Sequence, residues 1–181
     1  MIKTVWRTAK LVPVVIAVED LLYGPAYVSG RSMQPTLNPE SATGHDLVLA
    51  DKWSIKLYRY NRGDVVLLRS PEDPDMTLIK RLLALEGDWV TIPGSLELAK
   101  IPKGHCWVEG DNPEFSADSR SKFGPVPVAL IEGRVQYIFW PPSRAGRVNS
   151  HVPAGRLLVK NDHAFTDSSH FGAFEDSSCQ P

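Results

Sequence analysis

Residues 63–85 read Gly63-Asp64-Val65-Val66-Leu67-Leu68-Arg69-Ser70-Pro71-Glu72-Asp73-Pro74-Asp75-Met76-Thr77-Leu78-Ile79-Lys80-Arg81-Leu82-Leu83-Ala84-Leu85. Two apolar runs flank a connection made of Ser, Pro, Glu and Asp. The pattern predicts a turn at Arg62-Gly63-Asp64, a strand over Val65–Leu68, a hairpin-like connection over Ser70–Asp75 and a second strand over Met76–Leu85. The same alternation of short strand and turn continues on both sides. Upstream, Tyr27–Ser29 reads as a short extended piece and Asp46–Ala50 as a strand, while Trp53–Tyr60 fits either strand or loop. Downstream, Glu86-Gly87-Asp88 turns into Trp89–Ile92, Pro93-Gly94-Ser95 turns again before Leu96–Ala99, and Cys106–Glu109 and Gly133–Trp140 follow, the last closed by Pro141-Pro142. Short strands at near-regular spacing predict a mostly β protein, a compact antiparallel sheet or barrel.

Composition narrows the function. The 181 residues are 43% hydrophobic and 23% charged, as in a globular chain with a core. The net charge of −1 removes any bulk electrostatic case for nucleic-acid binding. Cys106 and Cys179 form neither a disulfide framework nor a CxxC pair, and the five histidines lack zinc spacing, so no metal site is expected.

The N-terminus reads as a membrane element. Residues 1–18 carry Lys3, Arg7 and Lys10 and no acid; a mostly apolar run from Leu11 to Val18 resumes from Leu21 to Val28 after Glu19-Asp20 interrupts it, which places Ile2–Val18 in the bilayer. One reading is an anchor over residues 1–22, its basic end retained on the negative side and everything after Asp20 across the membrane. The other is an amphipathic or packed helix, and the acid-poor basic start also suits a mitochondrial address. Residues 23–145 form the expected catalytic domain and residues 146–181 a C-terminal extension, largely flexible, polar from about Lys160 onward.

Two residues carry the chemistry. Ser32 lies in a Gly/Pro-bounded loop, and Lys80 is the single charge on the strand face shared by Leu78, Leu82 and Ala84, with Ile79, Arg81 and Leu83 opposite. A buried ammonium is costly, and losing its proton leaves a competent general base for a serine hydroxyl. The spacing alone favours a lysine that snorkels to solvent and a serine that caps a turn. The polar loop Gly110-Asp111-Asn112-Pro113-Glu114-Phe115-Ser116-Ala117-Asp118-Ser119-Arg120 offers acceptors able to orient such an amine, or is an ordinary Asx/Ser-rich surface loop.

In order along the chain, Ser32-Met33-x-Pro35-Thr36, Gly63-Asp64-Val65-Val66, Lys80-Arg81 with Gly87-Asp88, and Gly110-Asp111-Asn112 through Ser116-x-Asp118-Ser119-Arg120 to Gly124-Pro125-Val126 resemble the type I signal peptidases over about Val28–Pro142. Residues 32–39, 79–88, 107–111 and 123–126 are similar to the mitochondrial inner membrane protease branch, subunit 2 type, as is the short span between Asp88 and Gly110. The resemblance implies a Ser–Lys serine endopeptidase that removes sorting sequences from precursor proteins delivered to the intermembrane space. It would need no cofactor, sit in the mitochondrial inner membrane facing that space, and form a heterodimer with a subunit 1-type protease. It implies Ser32 as nucleophile, Lys80 as base, Ser116 as hydrogen-bond partner of the amine, Asp111 paired with Arg81, and Asp118 with Arg120 as a structural ion pair. Met33, Leu37, Leu78 and Ile79 would line a shallow pocket for the residue preceding the cut. Some bacterial members place an oxyanion-stabilising serine two residues before the nucleophile, where this chain has Gly30. A bacterial-type signal peptidase, a self-cleaving repressor protease and a catalytically silent tethered partner are the alternatives.

Overall fold

The computed structural model describes residues 22–40, 44–92, 98–153 and 156–158. The expected N-terminal anchor therefore lies outside the described residues except for Leu22, as does the polar stretch from Lys160. Among the described residues no helix is long and apolar enough to cross a membrane.

The strands are β1 (Tyr23–Tyr27), β2 (Leu47–Asp51), β3 (Val65–Arg69), β4 (Thr77–Ala84), β5 (Trp89–Thr91), β6 (Leu98–Lys100), β7 (His105–Glu109), β8 (Val126–Pro127), β9 (Ile131–Trp140), β10 (Gly146–Arg147) and β11 (Leu157–Leu158). Most belong to one curled antiparallel sheet in the order β1-β2-β9-β3-β4-β7-β8, with β10 added to β9. A small second sheet runs β11-β5-β6. The hairpin of residues 65–84 is the centre of the main sheet: β3 and β4 pair antiparallel with Val66 opposite Lys80 and Val65 opposite Arg81.

Two elements differ from the sequence reading for clear reasons. β1 starts earlier, over Tyr-Gly-Pro-Ala-Tyr, a composition unsuited to an interior strand; it is an edge strand, where Pro25 forfeits no ladder bond the fold requires. The Trp53 region begins as a five-residue helix, α1 (Lys52–Lys56), neither strand nor loop. Asp51 caps it, accepting from Ser54 N at 2.9 Å and Ser54 Oγ at 2.5 Å.

The Gly-Asp pairs before β3 and β5 are one device used twice. Gly63 and Gly87 take φ of +91° and +84°, which a side chain would strain. The aspartate that follows is buried and accepts a hydrogen bond from the N–H three residues back: Asn61 N to Asp64 at 2.8 Å and Leu85 N to Asp88 at 2.9 Å. Both pairs fix where a strand begins.

Apolar side chains pack on both faces of the main sheet. Val28, Met33, Leu37, Val48, Val65, Val135 and Ile138 form one cluster. Val66, Leu68, Leu82, Cys106, Val108, Val126 and Ile131 form another, as the alternation of adjacent Val65 and Val66 demands. At the far end of β4 a bulge between Leu82 and Ala84 breaks the alternation, so Ala84 joins Leu83, Val90, Ile101 and Trp107 in a third cluster. The expectation that Ala84 shares the face of Lys80 is corrected by that extra residue.

Candidate active site

Ser32 begins a tight turn, residues 32–36, and is half-buried. The turn is held from below by Asn38, which adopts φ +49°. Asn38 Nδ2 donates to Val28 O at 2.8 Å, its N–H donates to Asp46 Oδ2 at 2.8 Å, and Asp46 N donates to its Oδ1 at 2.7 Å. Arg144 spans the other side, donating to Thr36 O at 3.0 Å and pairing with Asp46. Met33 and Leu37 are 2% and 0% exposed, core residues beneath the turn, with Ile79 packed against the same cluster. Leu78 packs against the cluster on the other face.

Lys80 is 3% exposed. Its Nζ donates to Ser116 Oγ at 3.0 Å, and among the described residues no carboxylate pairs with it. Burial lowers its pKa from the ordinary 10.5; Asp118 pulls the other way and Arg120 adds to the lowering. The site thus holds a buried lysine of lowered proton affinity, tied to a hydroxyl.

Behind Ser116 stands Asp118, fully buried. Burial pushes its carboxyl up, but hydrogen bonds from Arg120, Ser116 and the N–H groups of Gly110 and Arg120 outweigh that and hold it below the ordinary carboxylate value. Arg120 reaches it through Nε at 3.1 Å and Nη2 at 2.5 Å. Lys80 Nζ thus donates to Ser116 Oγ, and the nearby Asp118 carboxylate accepts from Arg120.

Arg81, next to Lys80 but on the opposite face, is 1% exposed and uses all five of its N–H donors. Nε and Nη2 grip Asp111 at 2.7 and 2.6 Å, Nη2 also reaches Thr36 Oγ1 at 3.3 Å, and Nη1 donates to Gly63 O at 2.7 Å and Asn149 O at 3.0 Å. Thr36 Oγ1 in turn donates to Asp111 at 2.5 Å. One guanidinium therefore joins the Ser32 turn, the Gly110–Arg120 loop and the chain beyond β10. Arg81→Met is expected to cost about 3–5 kcal/mol of stability by stranding Asp111 and two carbonyls, measured by denaturant unfolding; a cost under about 1 kcal/mol would show that the cluster is not what holds these segments together.

Gly110 is where the two halves meet. A β-carbon there would collide with Ser116 Oγ and with the Ser32 carbonyl oxygen together, so these atoms are neighbours across it. Asn112 N donates to the same Ser32 carbonyl at 3.0 Å, and Gly110 N donates to Asp118 at 2.9 Å. Sequence reasoning assigned no role to Gly110, Thr36 or Glu109. Gly110 and Thr36 stand inside the quoted motifs, but their contacts depend on the pairing of β4 with β7, where Arg81 faces Glu109. At Gly30 φ is +86°, so a serine at that position would strain the backbone.

The Ser32 carbonyl and Ser116 Oγ, the acceptor for Lys80, meet at Gly110, so one loop links a half-buried serine with a buried lysine on an antiparallel sheet. Comparison with known proteins identifies the family. The signal peptidase family, peptidase S26, matches residues 1–98 and 92–140. The chain is 42% identical to the mitochondrial inner membrane protease subunit 2 of Danio rerio over 158 residues, 86% of each chain. With the subunit 2 of Schizosaccharomyces pombe it shares 46% over 141 residues, 76% of each. With the mitochondrial inner membrane protease subunit 1 of Xenopus tropicalis it shares 40% over 133 residues, 71% of this chain and 75% of that one. The chain belongs to the signal peptidase family, peptidase S26.

Proposed function

We propose that this chain is a serine endopeptidase of the mitochondrial inner membrane that removes N-terminal sorting sequences, with Ser32 as nucleophile and Lys80 as general base. The observation that carries the catalytic assignment is the buried Lys80 amine whose hydrogen-bond acceptor is a hydroxyl. A lysine kept as an ammonium would be expected beside a carboxylate; one kept as an amine needs only an acceptor for an N–H, leaving its lone pair free for a proton.

In the reaction, Ser32 Oγ attacks the scissile carbonyl while Lys80 Nζ takes its proton. The Ser32 N–H donates to the oxyanion. The ammonium then gives that proton to the departing amine as the C–N bond breaks, leaving an acyl group on Ser32 Oγ. Lys80, neutral again, removes a proton from water as the water oxygen attacks the acyl carbonyl, then returns that proton to Ser32 Oγ as the acyl–oxygen bond breaks, releasing the product acid and restoring both groups. Ser116 and Asp118 keep the amine oriented; Arg81 and Asp111 fix the two loops against β4.

The substrate would lie extended beside the segment before Ser32 and beside β4, whose pairing with β7 starts only at Arg81 and leaves the Thr77–Lys80 end without that neighbour. Ile79, half-buried, would line the pocket for the residue before the cut, with Met33 and Leu37 as its floor; Leu78, expected to join them, packs on the other face of the sheet and takes no part in it. The catalytic domain would face the intermembrane space. The likeness to subunit 1 proteases as well as to subunit 2 supports a heterodimer of two related chains.

The purified full chain, alone and with a subunit 1-type partner, should cut a presequence peptide at one bond after a small residue, as mapped by mass spectrometry. Replacing that residue by Phe should slow cleavage by roughly a hundred-fold. No cleavage in either assembly, or equal cleavage of both peptides, rejects this reading.

A further inference from the structure

The described chain continues past β9. β10 folds back on β9, and the residues after it lead to β11, which joins the small sheet. On this course they touch the surroundings of Lys80 at two places. At the first, Asn149 O accepts from Arg81, Ser150 Oγ donates to Asp64, and the His151 backbone lies so close to Gly63 that a β-carbon there would clash. At the second, Arg156 binds Glu109. A cavity of about 600 Å³ is bordered by Thr36, Arg81, Glu109, Ser116, Arg120 and Arg156.

Glu109 is 5% exposed and needs neutralising. It accepts from Trp107 Nε1 at 2.8 Å, holds Arg156, and lies 3.5 Å from Arg120 Nη1. Arg120, however, donates to Asp118, the acid behind Ser116, through Nη2 at 2.5 Å and Nε at 3.1 Å, and to Gly110 O through Nη2 at 2.9 Å. One arginine thus stands between two buried acids, and a second supplies the acid further from the amine.

We infer that Arg156 is a positioning residue for the Ser32–Lys80 centre: by satisfying Glu109 it leaves Arg120 seated on Asp118, and so sets the charge that Lys80 meets across Ser116. The inference rests on Lys80 being the base. Without Arg156, Glu109 draws Arg120 toward itself and Asp118 is left less neutralised. The charged groups that act on the amine come from one loop, Asp118 favouring the ammonium and Arg120 the free amine. Arg81, its neighbour on β4, is turned to the opposite face and matched by Asp111; Glu109 reaches the network from β7, and Arg156 from the segment before β11.

The test is the pH profile of kcat/KM for presequence-peptide cleavage by the full chain, with thermal midpoints recorded beside it. Arg156→Gln should move the acidic limb up by about 0.3–0.5 pH unit, a two- to three-fold loss of kcat/KM on that limb. Glu109→Gln keeps the acceptor for Trp107 and releases Arg120 wholly to Asp118, so its limb should move down. Arg156→Lys, which retains the charge, should stay near the parent. Opposite shifts in the two Gln variants support the inference, because a merely structural role lowers the thermal midpoint of both without moving either limb. Limbs fixed at the parent position overturn it and leave the Lys80 assignment standing. If Arg156→Gln does not fold, an unmoved limb in Glu109→Gln overturns it alone. A parent profile with no acidic limb removes the Lys80 assignment and this inference together.

Discussion

Lys80→Met is expected to lower turnover by roughly a thousand-fold or more while making the protein no less stable. The two halves of that expectation have separate causes. Turnover falls because the neighbours of Lys80 among the described residues cannot replace it as a base: Ser116 is a hydroxyl that accepts from the amine, and Arg81 faces away with every donor used. Stability holds because a buried amine costs free energy that a thioether of similar length does not. The pH dependence has a definite sign. The folded amine binds a proton less readily than the unfolded one, whose pKa is the ordinary 10.5. Unfolding therefore takes up a proton, and Lys80 destabilises the fold progressively as pH falls below 10.5, until the lowered folded pKa is passed and the penalty levels off. The advantage of Lys80→Met in thermal midpoint should accordingly grow from alkaline toward neutral pH. A variant that loses turnover and also unfolds many degrees earlier would make Lys80 a structural residue.

Ser32→Ala is expected to abolish turnover to a similar degree, with stability within about 0.5 kcal/mol of the parent. The loop does not depend on that hydroxyl. What holds it is backbone and neighbour: the Ser32 carbonyl takes Asn112 N–H, Asn38 and Asp46 exchange hydrogen bonds beneath it, and Arg144 grips Thr36 O. Because nucleophile and base act as one unit, the double variant Ser32→Ala/Lys80→Met should be no slower than either single variant. Losses that multiply in the double variant would show two independent contributions and contradict the dyad.

The strands around the central hairpin were legible because their alternation is strong and their turns carry Gly, Pro and Asp. What escaped had weak local signals. β1 contains Gly24 and Pro25 and is a strand only because an edge position tolerates them. The helix after Asp51 is five residues long, too short for a period to show. The bulge near Leu83 inverts a face without any residue that announces it. In the site, Ser32, Lys80, Asp111, Ser116 and Asp118 could be named because their motifs occur in order along the chain. Their distances could not be read, since these follow from β4 lying beside β7. The cluster on Arg81 takes in Asn149 O, and the pair Glu109–Arg156 joins residues far apart in sequence, so neither leaves a spacing pattern. Gly110 was quoted as part of a loop, but the reason for a glycine is the approach of two other segments.

The claim on which the mechanism stands is that one amine is kept unprotonated by its surroundings, and that ionisation can be followed directly. In protein labelled with ¹³C at lysine Cε, one resonance, identified by its disappearance in Lys80→Met, should titrate below the 10.5 of an ordinary lysine. It should also remain low in Ser32→Ala. If every lysine resonance titrates together near that ordinary value, Lys80 is an ammonium at working pH and cannot be the base.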